Sequence, residues 1–332
     1  MIFIHKSSKY KDHSRSWSLE WERYCIKNNL KYTTGDIYNL DLAEIVEGFS
    51  FVLFELNNFV EEDLRLGKSI IKILESSGMK VFPNYDEIWH YDDKISQSLA
   101  FHNHPNFPNF KIILNKQVPD VKTFPIVFKT SNGSGSHGVK LISNKNDLEN
   151  TIKANLTGRP SFLFKLSSNL TSLRSFSDFY NRLIRVPEFI RTLRKSKKVS
   201  INQNIGYLQE YIDNNGFDIK LVYVYGKITF VKRYVRPNDF RASGSGNLSY
   251  DPSDINEDIL NMIRDICIKN NYNCMGFDVV IDKYRNPKII EISYSFDWPA
   301  QFNLGWHYDE NNVIINNPLH VPDEIIKNNI KG

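Results

Sequence analysis

Two carboxylates toward the C-terminal end of the chain stand where acids are costly. Asp278 lies inside the run GFDVV and Glu291 inside IIEIS, so each interrupts an otherwise apolar strand. An isolated buried carboxylate is unfavourable. Two on neighbouring strands, joined by the hairpin DKYRNP, would repel one another unless a cation sits between them. Magnesium suits such a pair, because it takes hard oxygen ligands and shares its coordination with phosphate oxygens. The alternative places both acids toward solvent on alternating strand positions.

A second set of residues suits phosphate. The segment NGSGSHG, which holds Gly133, Ser134, Gly135, Ser136, His137 and Gly138, joins two apolar runs, and its glycines would let backbone N–H groups turn toward an anion. A flexible hairpin loop has the same composition. No Gly-Lys-Ser/Thr follows, so it is not a Walker loop, and a strand rather than a helix comes next, which excludes the dinucleotide fingerprint. Lys129 ends the strand entering this loop, and Lys94 follows two acids at the start of an earlier helix. Exposure is the default for any lysine, but their order ahead of the glycine loop favours phosphate contacts. Arg233, Arg236 and Arg241 in KRYVRPNDFRASGSG form a third cluster, either a bidentate clamp for phosphate or carboxylate or a solvated basic loop.

The elements that must position these groups follow from periodicity. Residues 2–5, 51–56 and 79–83 read as short buried strands, with helices over 17–28 and 61–77, the latter stopped by Gly78. This alternation predicts a small parallel α/β unit. A helix entered through Asp92 and Asp93 precedes a Pro-rich connector at Pro105 and Pro108, where a domain boundary is expected. Strand, glycine loop and strand then run from Phe124, a helix begins near Asn146, and strand character resumes at Gly206. Two further strands, a helix over 255–270 and the strand pair bearing Asp278 and Glu291 complete the pattern. There is no internal repeat.

Composition narrows the class. With 332 residues, 41% hydrophobic, the chain can bury a substantial core in two or three domains. A formal charge of +4 is mild and gives no argument for nucleic acid. Cys25, Cys267 and Cys274 lack CxxC spacing and read as reduced core residues. No run of eighteen apolar residues exists, and the N-terminal apolar run ends after four residues, which predicts a cytoplasmic protein.

Taken in order, these motifs resemble the ATP-grasp superfamily, which includes glutathione synthetase and the ribosomal-protein glutamate ligases, over roughly residues 80–300. FPIVFKTSNGSGSHGV resembles its lysine and glycine loop, LQEYIDNNGFDIKLVYVYGK the segment joining the halves of its nucleotide cleft, RPNDFRASGSG its arginine loop, and GFDVV with IIEIS its magnesium pair. The resemblance implies an α/β protein with α+β lobes: a parallel pre-ATP-grasp domain over 1–90, a central and small lobe over 91–212, and a C-terminal lobe over 213–332, with ATP between the lobes. It implies that Lys94 and Lys129 contact ATP, that Gly133 to Gly138 close over its phosphates, and that Gln209, Glu210, Tyr211 and Ile212 form the adenine hinge. Asp218 would meet the ribose, and Arg233 and Arg241 the phosphates, with Arg241 and Lys129 serving catalysis. Asp278 and Glu291 would bind one or two Mg2+ ions, with Mn2+ as a substitute. Ser293, which stands where the family has asparagine, would be a third metal residue with a shorter oxygen donor, and Lys220 stands where the glutamate ligases have arginine.

What the resemblance implies for function is an acid–amine ligase working through an acyl phosphate, with a kinase or a non-catalytic nucleotide-binding scaffold as alternatives. Two segments speak to the substrate. A basic insertion at about 160–200 carries Arg182, Arg185, Arg191, Arg194, Lys195, Lys197 and Lys198, and 180–198 suits an anionic or glycan-linked carboxylate, or acidic lipid, or a solvated cover helix. Trp298, Phe302, Trp306 and His307 would line an acceptor pocket or belong to the core. Together they suggest a uronic acid of bacterial surface polysaccharide as substrate.

Overall fold

A computed structural model describes residues 1–9, 12–57, 60–114, 117–130, 139–156, 205–213, 215–236, 240–242 and 246–330. The chain forms two compact units, one from Met1–Tyr91 with Asp213–Gly332 and the other from Asp92–Ile212. The first and last thirds of the sequence therefore share one unit.

The N-terminal part of the first unit is a four-stranded sheet of β1 (Ile2–His5), β2 (Tyr32–Gly35), β3 (Phe51–Phe54) and β4 (Lys80–Phe82), in the order β2-β1-β3-β4. All its pairings are parallel. Residues of β1 and β3 are buried throughout, as continuous apolar runs require in a parallel sheet covered on both faces. Helices α1 (Trp17–Lys27), α2 (Leu42–Gly48) and α3 (Lys68–Ser76) connect the strands. The helix expected over 61–77 opens instead with a π turn at Asp63–Gly67. Gly67 explains the close packing there, since a Cβ on it would lie 2.5 Å from Leu56 Cδ2. Asp63 is held by the Tyr38 hydroxyl at 2.8 Å and the Asn57 N–H at 2.6 Å.

A short helix, α4 (Tyr85–Ile88), ties this part to the C-terminal strands through Glu87. Its carboxylate accepts from the Asn273 and Cys274 N–H groups at 2.7 and 2.6 Å and closes a capping box with Asn84. Burial pushes the Glu87 carboxyl up to about 8, opposed by those N–H groups. A raised folded-state pKa means that this group's contribution is full below its unfolded value of 4.5 and is lost as pH rises through about 8. The melting temperature is therefore expected to fall between pH 6 and 9 more steeply in the wild type than in Glu87→Gln, as thermal melts across that range would register.

The second unit holds α5 (Lys94–Ala100), β5 (Phe110–Leu114), β6 (Ile126–Thr130), β7 (Val139–Ile142), α6 (Lys145–Asn155) and β8 (Ile205–Glu210). Its sheet is antiparallel in the order β5-β8-β6-β7. One face packs Ile113, Ile126, Phe128, Ile142 and Leu208 against Leu148, Ile152 and Leu156.

The first unit resumes with β9 (Phe217–Val224), β10 (Lys227–Tyr234), β11 (Leu248–Ser249), α7 (Glu257–Lys269), β12 (Cys274–Ile281) and β13 (Pro287–Ser293). After them come α8 (Trp298–Phe302), β14 (His307–Tyr308), β15 (Ile314–Ile315) and α9 (Val321–Ile330). These strands make an antiparallel sheet in the order β13-β12-β9-β10-β14-β15, with β11 beside β10. The three cysteines are free and buried, and no helix among the described residues is long and apolar enough to cross a membrane.

Candidate functional site

In the sheet of the second unit, side chains alternate between faces. Phe128 and Leu208 face the core, so their neighbours Lys129, Tyr207 and Gln209 share the other face. Lys129 stands opposite Tyr207, and Val127 opposite Gln209. Lys129 and Gln209 are each only 6% exposed. Gln209 Nε2 donates to the Tyr207 hydroxyl at 3.1 Å, and that hydroxyl lies 2.6 Å from Ser98 Oγ. Ser98 belongs to α5, so the helix that begins at Lys94 lies on the Lys129 face. Asp93 caps it, accepting from the Ile95 and Ser96 N–H groups at 3.1 Å.

Glu210 ends β8 at the surface, its carboxylate accepting from the Asn109 amide side chain at 2.8 Å. Tyr211 and Ile212, half-buried, close the unit. Gly133 to Gly138 and the basic insertion, including 180–198, lie outside the described residues.

The sheet of the first unit gathers the acids. Asp278 on β12 stands opposite Glu291 on β13 and opposite Lys220 on β9, while Asp218 on β9 stands opposite Arg233 on β10. Directly opposed residues share a face, which makes this a five-residue polar patch on one side of the sheet. The other side is apolar: Ile219, Leu221, Phe277 and Val279 are each at most 1% exposed.

The register of Glu291 depends on an irregularity. Asp278 pairs with Glu291 but the next residue, Val279, pairs with Ile289, so Ile290 is an extra residue on β13. Without this bulge Ile290 would face Asp278, and Glu291 would point to the apolar side. The bulge also explains how IIEI fits a strand whose buried positions are Ile289 and Ile292.

Charge in the patch is largely internal. Lys220 Nζ is 2.9 Å from Asp278 Oδ1 and Arg233 Nη2 is 3.1 Å from Asp278 Oδ2. Arg233 Nε donates to Asp218 Oδ1 at 2.6 Å. Burial pushes the Asp278 carboxyl up, but Lys220 and Arg233 overcome this and hold it well below the usual carboxylate range. Asp218 is raised to about 6 by burial, with Arg233 pulling down and Asp278 pushing up. Burial alone would lower Arg233; the two carboxylates reverse that and raise it. The cation demanded by two buried acids is thus supplied at Asp278 by side chains, whereas Glu291 has no ion-pair or hydrogen-bond partner among the described residues.

Three acids against two cations leave one net negative charge, and two carboxylates oppose each other across β12 and β13. This donor set fits magnesium held by one or two carboxylates, with remaining ligands from phosphate and water. It does not make an all-protein cage, since no cluster of three His, Cys, Asp or Glu suited to a metal exists among the described residues. Ser293 stands opposite Gly276, but its hydroxyl donates to Ser295 O at 2.9 Å and accepts from Ser295 N–H at 3.2 Å. Arg241 is half-buried in the loop after β10.

Removing Asp278 leaves two cations facing each other in a site where Asp278 and Arg233 side chains are only 15% and 14% exposed. Asp278→Ala is expected to destabilise the fold by about 3 kcal/mol. Urea denaturation would measure it, with Lys220→Met in the same chain restoring part of the loss.

The aromatic tail divides. Trp298 and His307 are core residues, with Trp298 Nε1 donating to Arg15 O at 3.1 Å and His307 Nδ1 lying 2.9 Å from Asn317 O. Trp306 packs against Phe230 and Tyr308, whereas Phe302 is 37% exposed.

Solved structures share the fold of this chain. The chain is similar to a D-alanine–D-alanine ligase from Bacillus anthracis complexed with ATP, at TM-score 0.56 and 14% identity, over 99% of this chain and 96% of that one. It is equally similar to a RimK domain ATP-grasp protein from Sphaerobacter thermophilus, at TM-score 0.56 and 10% identity over the whole of both chains. The chain has the ATP-grasp fold. A third similar structure is the macrocyclase MdnC bound with precursor peptide MdnA from Microcystis aeruginosa, at TM-score 0.56 and 12% identity, covering 100% of this chain and 99% of that one. No protein-family model matches the chain, and no curated protein matches it. Within the ATP-grasp fold, the polar sheet face is local to β9, β10, β12 and β13. Tyr207 is not marked as a site residue by its apolar sequence context, and nothing local in the sequence joins Lys220 and Arg233 to Asp278. The alternation of Asp218 and Lys220 on one strand was the available signal.

Proposed function

We propose that the protein is an ATP-dependent ligase that joins a carboxylic acid to an amine through an acyl phosphate. The observation that carries this reading is the direct opposition of Asp278 and Glu291 on a polar sheet face within an ATP-grasp fold. Asp278 and Glu291 would hold magnesium, which supplies charge neutralisation to the phosphate oxygens. Lys129, Lys94, Arg233 and Arg241 are the candidates for the remaining phosphate charge, and Gln209 to Ile212 for the base.

In the first step an oxygen of the substrate carboxylate attacks the γ-phosphorus and the bond to the β-phosphate oxygen breaks, releasing ADP. The amine nitrogen then attacks the acyl carbon, phosphate leaves, and the amine proton is lost to solvent. Phosphoryl transfer needs mainly alignment and neutralised charge, which this set of side chains suits.

The acid is proposed to be small or glycan-linked, with a uronic acid as one candidate; the basic segment 180–198 and the exposed ring of Phe302 support an anionic, ring-bearing substrate. Phosphate release from ATP across panels of acids and amines tests the reading. Release that requires both an acid and an amine is the expected result. A stable phosphorylated product made without amine would make the protein a kinase, and nucleotide binding without turnover would make it a scaffold.

A further inference from the structure

Lys220 is held at Asp278 by a seat built into the sheet. Its residue stands directly opposite Asp278 on β9 and β12, and its ammonium lies 2.9 Å from Asp278 Oδ1. Gly276, two residues before Asp278, makes room for it: a Cβ there would come within 3.2 Å of Lys220 Cε and Nζ and of the Phe296 ring. The φ of Gly276 is not in the left-handed region, so its need is for space rather than for backbone freedom.

The two cations at Asp278 differ in mobility. Arg233 is pinned twice, by Asp218 at 2.6 Å and by Asp278 at 3.1 Å, and its planar fork fixes it. Among the described residues Lys220 makes one ion pair, with Asp278, and its ammonium sits at the end of a flexible stem. Glu291, across the ladder, has no such counter-cation among the described residues. The carboxylate pair is therefore asymmetric, with one acid open and the other occupied.

We propose that Lys220 is a counter-cation that keeps divalent metal from bridging Asp278 and Glu291 until a polyphosphate draws its ammonium away, so that metal enters together with nucleotide. Free metal meets a pair in which only Glu291 is available. Nucleotide phosphates bring negative charge that competes with Asp278 for the Lys220 ammonium, and the vacated oxygen completes the magnesium site. Lys220 is in this sense a positioning residue. The inference rests on the metal role of Asp278 and Glu291 given under the proposed function.

The test is Mn2+ binding to the full chain, read by the electron paramagnetic resonance signal of free Mn2+, with and without a non-hydrolysable ATP analogue. Without nucleotide, Lys220→Met is expected to bind Mn2+ about tenfold more tightly than the wild type or better, because a full positive charge has left the site. Adding Glu291→Gln to that variant is expected to abolish the gain. Gly276→Ala provides a second variant, since its methyl displaces the flexible end of Lys220 while leaving every charge in the chain. It is expected to move Mn2+ affinity in the same direction, and thermal melts establish that each variant is folded. Equal or weaker nucleotide-free binding in both Lys220→Met and Gly276→Ala would overturn the proposal. If no protein binds Mn2+ even with the analogue, the metal assignment of Asp278 and Glu291 itself fails, which is a different outcome from equal binding in all.

Discussion

Glu291→Gln is expected to lower ATP-dependent turnover by roughly 10^3-fold, a loss of about 4 kcal/mol of transition-state stabilisation, while leaving the fold intact. The two halves of this expectation come from different observations. Activity should fall because an amide is a poor magnesium ligand and the opposing acid, Asp278, cannot hold the ion alone. Stability should be nearly unchanged because Glu291 has no ion-pair or hydrogen-bond partner among the described residues and its side chain is half-buried rather than enclosed. A melting temperature within a few degrees of the wild type, together with a phosphate-release rate near background, is the expected pair of results. Comparable losses of stability and activity would instead mean that Glu291 is a structural residue.

Deleting Ile292 is expected to be at least as damaging to activity and far more damaging to stability. The bulge at Ile290 sets Glu291 opposite Asp278, with Val279 opposite Ile289 on the adjacent step and Ile292 opposite Phe277. A strand one residue shorter can close the bulge, which brings Ile290 opposite Asp278 and Glu291 opposite Phe277. Glu291 would then point among Phe277 and Val279, where a carboxylate has no partner. The alternative keeps the bulge, puts Ser293 in the place of the buried Ile292, and pulls Tyr294 from its place beyond β13, where its hydroxyl accepts from the Leu56 N–H at 2.8 Å. Either route costs several kcal/mol, visible as a large drop in urea midpoint. Substituting Ile292 by Val, which preserves the residue count, should cost only about 1 kcal/mol and leave activity within a small factor of the wild type.

These two variants also mark how far the sequence could be read. The strands at 2–5, the cap at Asp93, the stop at Gly78 and the acid-bearing strand pair were all legible, because each has a local cause: an apolar run, a side-chain acceptor, a glycine with φ of +81°, or a turn. The face of Glu291 was not legible. Strict alternation from Ile289 puts Glu291 on the apolar side, and only the pairing with β12 reveals the bulge. The charge balance is only partly legible for a similar reason. Burial of Asp278 calls for a cation, but Lys220 and Arg233 come from strands more than forty residues earlier and reach it only through the order β12-β9-β10. Sharing of one unit by the first and last thirds of the chain likewise depends on long-range contacts, such as Glu87 with the Cys274 N–H.

Lys129 and Gln209 illustrate the opposite case. Their alternation with Phe128 and Leu208 is visible in the sequence and places them opposite the hydrophobic core as soon as the strands are accepted. Tyr207 shares that face and was overlooked because a tyrosine in an apolar strand reads as core. Its hydroxyl, joined to Ser98 and Gln209, makes it the link between α5 and the sheet.

The most direct measurement of the central claim follows oxygen from the acid into phosphate. Candidate acids labelled with 18O in the carboxylate, supplied with amines, ATP and magnesium, are expected to yield inorganic phosphate carrying one 18O atom, detected as an isotope-shifted 31P resonance and absent with Glu291→Gln. Turnover that releases only unlabelled phosphate, or that stops at a phosphorylated product with no amide formed, would contradict ligation through an acyl phosphate.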